Sequence, residues 1–426
     1  MTKKDPLYLL KYISDAYVAL LAVYLALFAD IRHIHNLKIT LFYVICGGYV
    51  LLTVAWLLIT LAAGKAETCE LLARLKPTSA LQWLMLIYPA TLLVSTVLSR
   101  YPESWIGVSR HEGWLTAAVY ALSFYALAKF AEPKRWMVYA LGGAVTVMCT
   151  VTFLYAAGAV SAVSLGNKGY IALLLTVAVP CLSVYVLKAR EGLRVLLIVP
   201  IALSVVLLVR IRVLLGFVGL AAALTAALPY LTGISRRGVK IYFASLPVIA
   251  LTAVLILYAV PFKEGLPFEL HSILHGDVRD TFGSGRIRIW REVLSRIPDN
   301  LLLGTGPDTM LYSGIEPTRI YDGNGEWAVR YVDSAHSEPL NVLYHGGIAA
   351  LAAYLGAVVS FAVSFFKSAK QDLGALMLGA GITGYLAAML FGVSVPFTAV
   401  YFPLCLGLFE SIIHRPQRES VPSDKT

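Results

Sequence analysis

Apolar residues run through this chain in long blocks, and polar residues are confined to the seams between them. The blocks are Leu7 to Phe28, Ile39 to Ala63, Leu81 to Leu98, Trp114 to Phe130, Met137 to Ala157, Tyr170 to Leu187, Leu193 to Val209, Val213 to Leu231, Ile241 to Phe262, Leu340 to Phe366, Leu373 to Gly392 and Val395 to Ile413. Each is 17 to 27 residues long, enough to carry a helix across about 30 Å of hydrocarbon. The pattern predicts an all-α integral membrane protein, a bundle of about 12 transmembrane helices. Its connections are short except for one, Lys263 to Glu338, which is long enough to have a function of its own. We therefore divide the chain into a transmembrane bundle (1–262), a large loop (263–338), C-terminal membrane helices (339–414) and a tail (415–426), all within one structural domain.

The period changes inside the long loop. In "SGRIRIWREVLSRIPDN", at 100° per residue, Ile287, Trp290, Val293, Leu294 and Ile297 gather on one arc and Arg288, Arg291, Glu292, Ser295 and Arg296 on the other, with Pro298 as a stop. An amphipathic helix on the membrane surface is expected. Arg286 breaks the pattern by projecting onto the apolar arc, where it either snorkels outward or meets an anion. The following "LLGTGPD" reads as an ordinary Gly-Pro turn.

Composition excludes a soluble protein: of 426 residues 58% are hydrophobic and 14% charged, and the mean hydropathy is +0.74. The net charge of +10 mainly sets orientation. Lys and Arg crowd alternate connections, such as Lys129 with Lys134 and Arg135, Arg236 with Arg237 and Lys240, and Lys367 with Lys370. Placing these in the cytoplasm puts both termini there and turns the long loop outward. The charge therefore implies no nucleic-acid partner. No small-residue cleavage site follows the first block, so it is expected as an uncleaved span. Within it Lys11 and Asp15 are spaced for an ion pair along one helix face. Four of the five Cys fall in spans, and no disulfide or zinc framework is expected.

Candidate chemistry is concentrated in "YVDSAHSEPLNVLYHGG", directly ahead of the tenth block. Ser337 is expected to cap that helix with Pro339 in its first turn, leaving His336 just outside a helix N-terminus. The dipole there disfavours imidazolium, and a neutral imidazole is what a general base requires. Glu338, Asn341 and His345 follow at helical spacing as a polar stripe facing the bundle interior. The plainer reading is a loop histidine followed by interhelical hydrogen bonds. Arg210 and Arg212 add cations on the same outer side without a neighbouring acid, which suits a phosphate or pyrophosphate partner. Together these groups suit sugar transfer from a lipid diphosphate, with arginines on the leaving group and His on the acceptor hydroxyl, and no metal. The "HIH" of His33 to His35 is expected as an interfacial loop.

Four stretches give the chain its family likeness: "SWIGVSRHEGWLTAAVY" from Ser104, "LGNKGYIALLL" from Leu165, "SGRIRIWREVLSRIPDNLLLGTG" from Ser284 and "DSAHSEPLNVLYHGGIAALAAYLG" from Asp333. Through them the chain resembles the bacterial O-antigen ligase and O-antigen polymerase superfamily, including the bacterial O-oligosaccharyltransferases. The resemblance implies a helical bundle in the bacterial cytoplasmic membrane with a large outer loop. It also implies metal-independent, inverting transfer of a glycan from an undecaprenyl-diphosphate donor to a glycan, lipid or protein acceptor, without a cofactor. The family's catalytic His carries over to His336 and its loop arginine to Arg286. Arg210, Arg212, Glu338 and Asn341 are then the expected substrate-binding residues. Two positions depart from the family's pattern: the Ser-Arg pair that usually opens a span is here "LLVRIRVLLG", leaving Arg210 and Arg212 as alternatives, and Gly-Asn-Pro is here Gly166-Asn167-Lys168. Ligase, polymerase and protein glycosyltransferase differ in acceptor and stay open. A 12-span transporter is the rival class, but carriers of that size often carry repeated halves, and no such repeat is legible here.

Overall fold

The computed structural model describes residues 8–63, 65–321 and 327–414. The tail expected at 415–426 and the first residue of the first apolar block lie outside the described residues. The chain is almost wholly helical: α1 (Tyr8–Ala26), α2 (Ile34–Phe42), α3 (Gly48–Ala63), α4 (Lys65–Leu75), α5 (Ala80–Leu98), α6 (Trp114–Phe130), α7 (Arg135–Ala156), α8 (Lys168–Lys188), α9 (Ile198–Ile211), α10 (Leu214–Leu231), α11 (Arg236–Ala259), α12 (Gly265–Leu274), α13 (Arg286–Arg296), α14 (Glu338–Ser368), α15 (Leu373–Met389), α16 (Pro396–Ala399) and α17 (Tyr401–Ile413). Every apolar block of the sequence is helical. Ten described helical stretches are long and apolar enough to cross a membrane, while α6 and α15 are shorter apolar helices of 17 residues. This is a multi-pass membrane protein.

A lipid environment gives no hydrophobic drive for helices to associate, so close packing must hold them together. The core centres on α8, whose residues from Ile171 to Leu182 are all buried, and against which α9, α10 and α15 pack. Small residues let the backbones touch: a Cβ on Gly384 of α15 would lie 2.3 Å from the Thr176 carbonyl oxygen of α8. By contrast, α11 has no buried residue. The second apolar block is interrupted by a π-helical turn, Tyr43–Gly47, which joins α2 to α3.

Two sets of contacts fix which ends lie together. At one end Lys11 pairs with Glu132 at 2.8 Å and Asp15 with Lys134. The expected Lys11–Asp15 pair is therefore replaced by two bridges from α1 to the α6–α7 turn, because carboxylate and ammonium partners approach across the helix gap. At the opposite end Ala29–Asp30 (β1) pairs with Ala162–Val163 (β2). The segments before α6, before α14 and before α16 meet at this second end, as the site shows.

The long connection is built and not merely strung. It holds α12, α13 and the antiparallel strands β3 (Thr318–Tyr321) and β4 (Trp327–Arg330). The amphipathic helix forms where its period predicts, but the middle of its apolar face packs inside the protein, while Leu294 of the same arc stays 54% exposed. Val293 and Ile297, with Ile289 and Trp290, pack on Met310, Ile315, Val332, Ala335 and Tyr344 of the same connection and of α14. The protein's own apolar groups cover the Trp290, Val293 and Ile297 part of the face that the sequence left without a partner.

Candidate functional site

The tenth apolar block is one helix by hydropathy, yet α14 is broken at Gly347 (φ 68°, ψ −168°). A break leaves carbonyls and N–H groups without helical partners. The turn Leu301 to Gly306 supplies them: Ile348 N donates to Leu301 O at 2.8 Å, Thr305 N to Tyr344 O at 3.0 Å, and Gly306 N to His345 O at 2.9 Å. Only glycine fits the crossing, since a Cβ on Gly347 would stand 2.3 Å from the Leu302 carbonyl carbon and one on Gly304 2.3 Å from that of His345. The "LLGTG" turn, unremarkable as sequence, thus locks the first two turns of α14 to the long connection.

Those turns carry the polar stripe. Glu338, Asn341 and His345 all line one cavity of about 150 Å³ between α5, α6, α14, α15 and α17. Its upper wall is polar, with Arg110, Glu112, Asp308, Asp333 and Ser394, and its lower wall is apolar, with Met85, Phe361, Phe402 and Leu406. His345, expected to be a hydrogen-bonded bundle residue, instead keeps a buried Nε2 without a partner, while its carbonyl accepts from Ser95 Oγ at 2.7 Å.

His336 is held by its neighbours. Asn341 Oδ1 accepts from Ala335 N at 2.8 Å and its Nδ2 donates to Ser334 Oγ at 3.1 Å. Ser334 Oγ in turn accepts from His336 N at 3.1 Å, and the Trp290 indole donates to Ala335 O at 2.8 Å. His336 itself takes φ 51°, a conformation that a non-glycine residue keeps only where its surroundings impose it. Ser337 occupies the N-cap position as expected, but its hydroxyl makes no cap bond. Asn341 holds the loop through these bonds while its side chain also lines the cavity.

Burial, then the charges of Arg110 and Arg286, push the His336 imidazole down to about 4, with Asp333 opposing. The ring is neutral at ordinary pH. Arg286 is the first residue of α13 and donates from Nη1 to Gly283 O at 2.9 Å and from Nη2 to Phe391 O at 3.4 Å. Its Nε is buried without a partner, and burial lowers its basicity. The other arginines of α13 have partners: Arg291 pairs with Asp280 at 2.6 Å, Arg296 with Glu292 at 2.7 Å, and Arg288 donates to Glu316 O at 3.1 Å. Arg286 has no ion-pair partner among the described residues.

Arg110 also lines the cavity, although nothing in its local sequence marks it. Its Nη2 lies 2.7 Å from Asp333 Oδ1, Nη1 donates to Tyr170 OH at 3.2 Å, and its Nε is buried without a partner. Asp308 holds this segment in place by accepting from Ser109 N at 3.1 Å and Arg110 N at 2.9 Å, and burial raises its carboxyl above the usual range. Glu112 accepts from Tyr120 OH at 3.0 Å and Ser394 Oγ at 2.9 Å. Burial, followed by the nearby Glu338 carboxylate, pushes Glu112 well up. Signals for these residues were present in the Ser104 stretch, but no spacing rule links positions 110 and 333. Arg210 and Arg212 are exposed at the α9–α10 turn and line no part of the cavity.

Compared with protein-family models and with curated proteins, the chain matches none significantly.

Proposed function

We propose that this protein transfers a glycan from an undecaprenyl-diphosphate donor to an acceptor hydroxyl at the outer face of the bacterial cytoplasmic membrane, as an enzyme resembling the O-antigen ligases. The observation that carries the reading is one neutral imidazole, His336, flanked by two guanidinium groups, Arg110 and Arg286, each with a buried Nε–H lacking an acceptor. Guanidinium groups of that kind bind phosphate oxygens well, and a neutral imidazole accepts a proton.

In the step proposed, His336 takes the proton of the acceptor hydroxyl as its oxygen bonds to the anomeric carbon. The bond from that carbon to the diphosphate breaks on the far side, inverting the centre. The diphosphate leaves with the electron pair, and Arg286 meets the charge. Binding the dianion also offsets the arginines that hold His336 down, so the base strengthens when the donor is seated. Glu338 lies on the cavity side, toward the acceptor, and Arg210 and Arg212 attract the anionic headgroup from the same outer surface. All twelve apolar helices span the membrane in this reading, both termini are cytoplasmic, and the 263–338 connection faces outward. Polymerase and protein O-oligosaccharyltransferase activity differ from this only in acceptor.

Purified protein incubated with an undecaprenyl-diphosphate oligosaccharide and candidate lipid, glycan and peptide acceptors tests the proposal. Transfer that survives a chelator and yields the inverted linkage is expected. Labelling of cysteines placed in 263–338 only after membranes are opened would overturn the topology and the enzyme reading together.

A further inference from the structure

A second group of polar side chains lies away from the cavity, at the elbow between α11 and α12. His271 lies in the last turn of α12 and His275 caps its C-terminus one turn on, with their ring centroids 4.2 Å apart. His271 Nδ1 lies 2.8 Å from the Leu257 carbonyl oxygen of α11, and His275 Nδ1 lies 2.8 Å from the His271 carbonyl oxygen. A carbonyl oxygen only accepts, so each Nδ1 carries its proton and each neutral ring has a bare Nε2 lone pair. Tyr258 stacks on His275 with centroids 4.4 Å apart and planes 10° from parallel, fixing that ring further.

A ring pinned through Nδ1–H to a backbone carbonyl is oriented as metal-ligating histidines usually are, since that bond fixes the tautomer and raises the basicity of the other nitrogen. Two such rings four residues apart at the helix end, with centroids 4.2 Å apart, match the i, i+4 spacing used by helical zinc sites. The nearby acids are engaged: Asp277 pairs with Arg279 at 2.6 Å and Glu269 accepts from Gly283 N at 2.9 Å. We infer that His271 and His275 form a two-imidazole chelate for a divalent transition-metal ion of the zinc or copper class, with water completing the coordination. Imidazole suits these ions, whereas magnesium and calcium prefer oxygen donors. A metal on the His271 Nε2 would hold the ring whose Nδ1 bond to Leu257 O ties α12 to the end of α11, a helix with no buried residue of its own.

The test uses the full chain purified in detergent without a polyhistidine tag. Asn in place of His keeps an N–H donor near the Nδ1 position and removes the Nε2 ligand, so His271→Asn and His275→Asn separate ligation from folding. Titration with Cu²⁺ or Zn²⁺ is expected to saturate at one ion per chain, to raise the melting temperature and, for Cu²⁺, to show two imidazole nitrogens by electron paramagnetic resonance. Each Asn variant should lose the saturable binding while melting like the metal-free wild type. Equal binding by the double variant, or no saturable binding by the wild type, would overturn the site. Neither result bears on glycan transfer, which is read out separately.

Discussion

Arg110 and Asp333 form an ion pair at 2.7 Å that joins the segment before α6 to the segment holding His336. Their side chains are 16% and 29% exposed, so the pair is largely withdrawn from water and neither partner is easily left alone. Arg110→Ala removes this pair and the Tyr170 contact, and is expected to cost about 1.5–3 kcal/mol, the range for hydrogen bonds to charged groups. Thermal unfolding in detergent measures it. A variant as stable as wild type would show that the pair does not hold the two segments together.

Gly347→Ala addresses the break in α14. At φ 68° and ψ −168° Gly347 holds a conformation that is essentially glycine-only, costing a side chain on the order of 1–3 kcal/mol, and the Cβ would also meet the Leu302 backbone at 2.3 Å. Gly158 supplies the control, with φ 73° but nothing within 4 Å of its Cβ position. Gly347→Ala should therefore lower the melting temperature clearly more than Gly158→Ala. Equal losses would mean that the turn at Leu301 to Gly306 yields without cost.

How much of this was legible beforehand differs between parts of the molecule. Helix positions followed from hydropathy because the membrane leaves a backbone almost no other option. The stripe of Glu338, Asn341 and His345 followed from helical period for the same reason, and so did α13. Three features were not legible. The break at Gly347 depends on a turn forty residues away, which no local pattern reports. The face of α13 looked like a membrane face because sequence shows that a surface is apolar but not what covers it. Arg110 carries no local mark of its role, because Asp333 and Asp308, which hold it, are both distant in sequence.

Arg286→Ala is expected to lower kcat/KM for the lipid-diphosphate donor by the equivalent of about 1.5–3 kcal/mol, roughly 10- to 150-fold. Arg288→Ala and Arg291→Ala should have much smaller effects, since their side chains already donate to Glu316 O and pair with Asp280. A steady-state comparison of the three variants decides the matter. Equal losses would remove the special role of Arg286.

The depressed His336 also makes a prediction about stability. The unfolded chain binds a proton on this group below its ordinary value of about 6.5, while the folded protein resists until about 4. The unfolded state therefore gains protons first, and stability falls as pH drops from about 6.5 through 4. His336→Gln has no such group, so it should lose less stability than wild type over that window. Parallel melting curves for the two proteins between pH 7 and 4 would contradict the assignment.

The last prediction tests His336 as the base. His336→Ala keeps Arg110 and Arg286, so the protein should fold and bind the lipid-linked donor with little change, while losing the group that removes the acceptor proton. A positioned general base contributes about 10²- to 10⁴-fold, and turnover should fall by that order. In wild type the acid limb of kcat/KM reports the free enzyme and should lie near 4. The limb of kcat reports the donor complex and should lie at higher pH, because the bound diphosphate offsets the two arginines that depress the imidazole. His345 separates this from a structural effect. Its Nε2 has no partner to lose, so His345→Ala should leave both limbs in place while changing the packing of the cavity wall. If His336→Ala retained full turnover, the proton would have to leave by another route, and Glu338, on the first turn of the same helix, would be the next group to test.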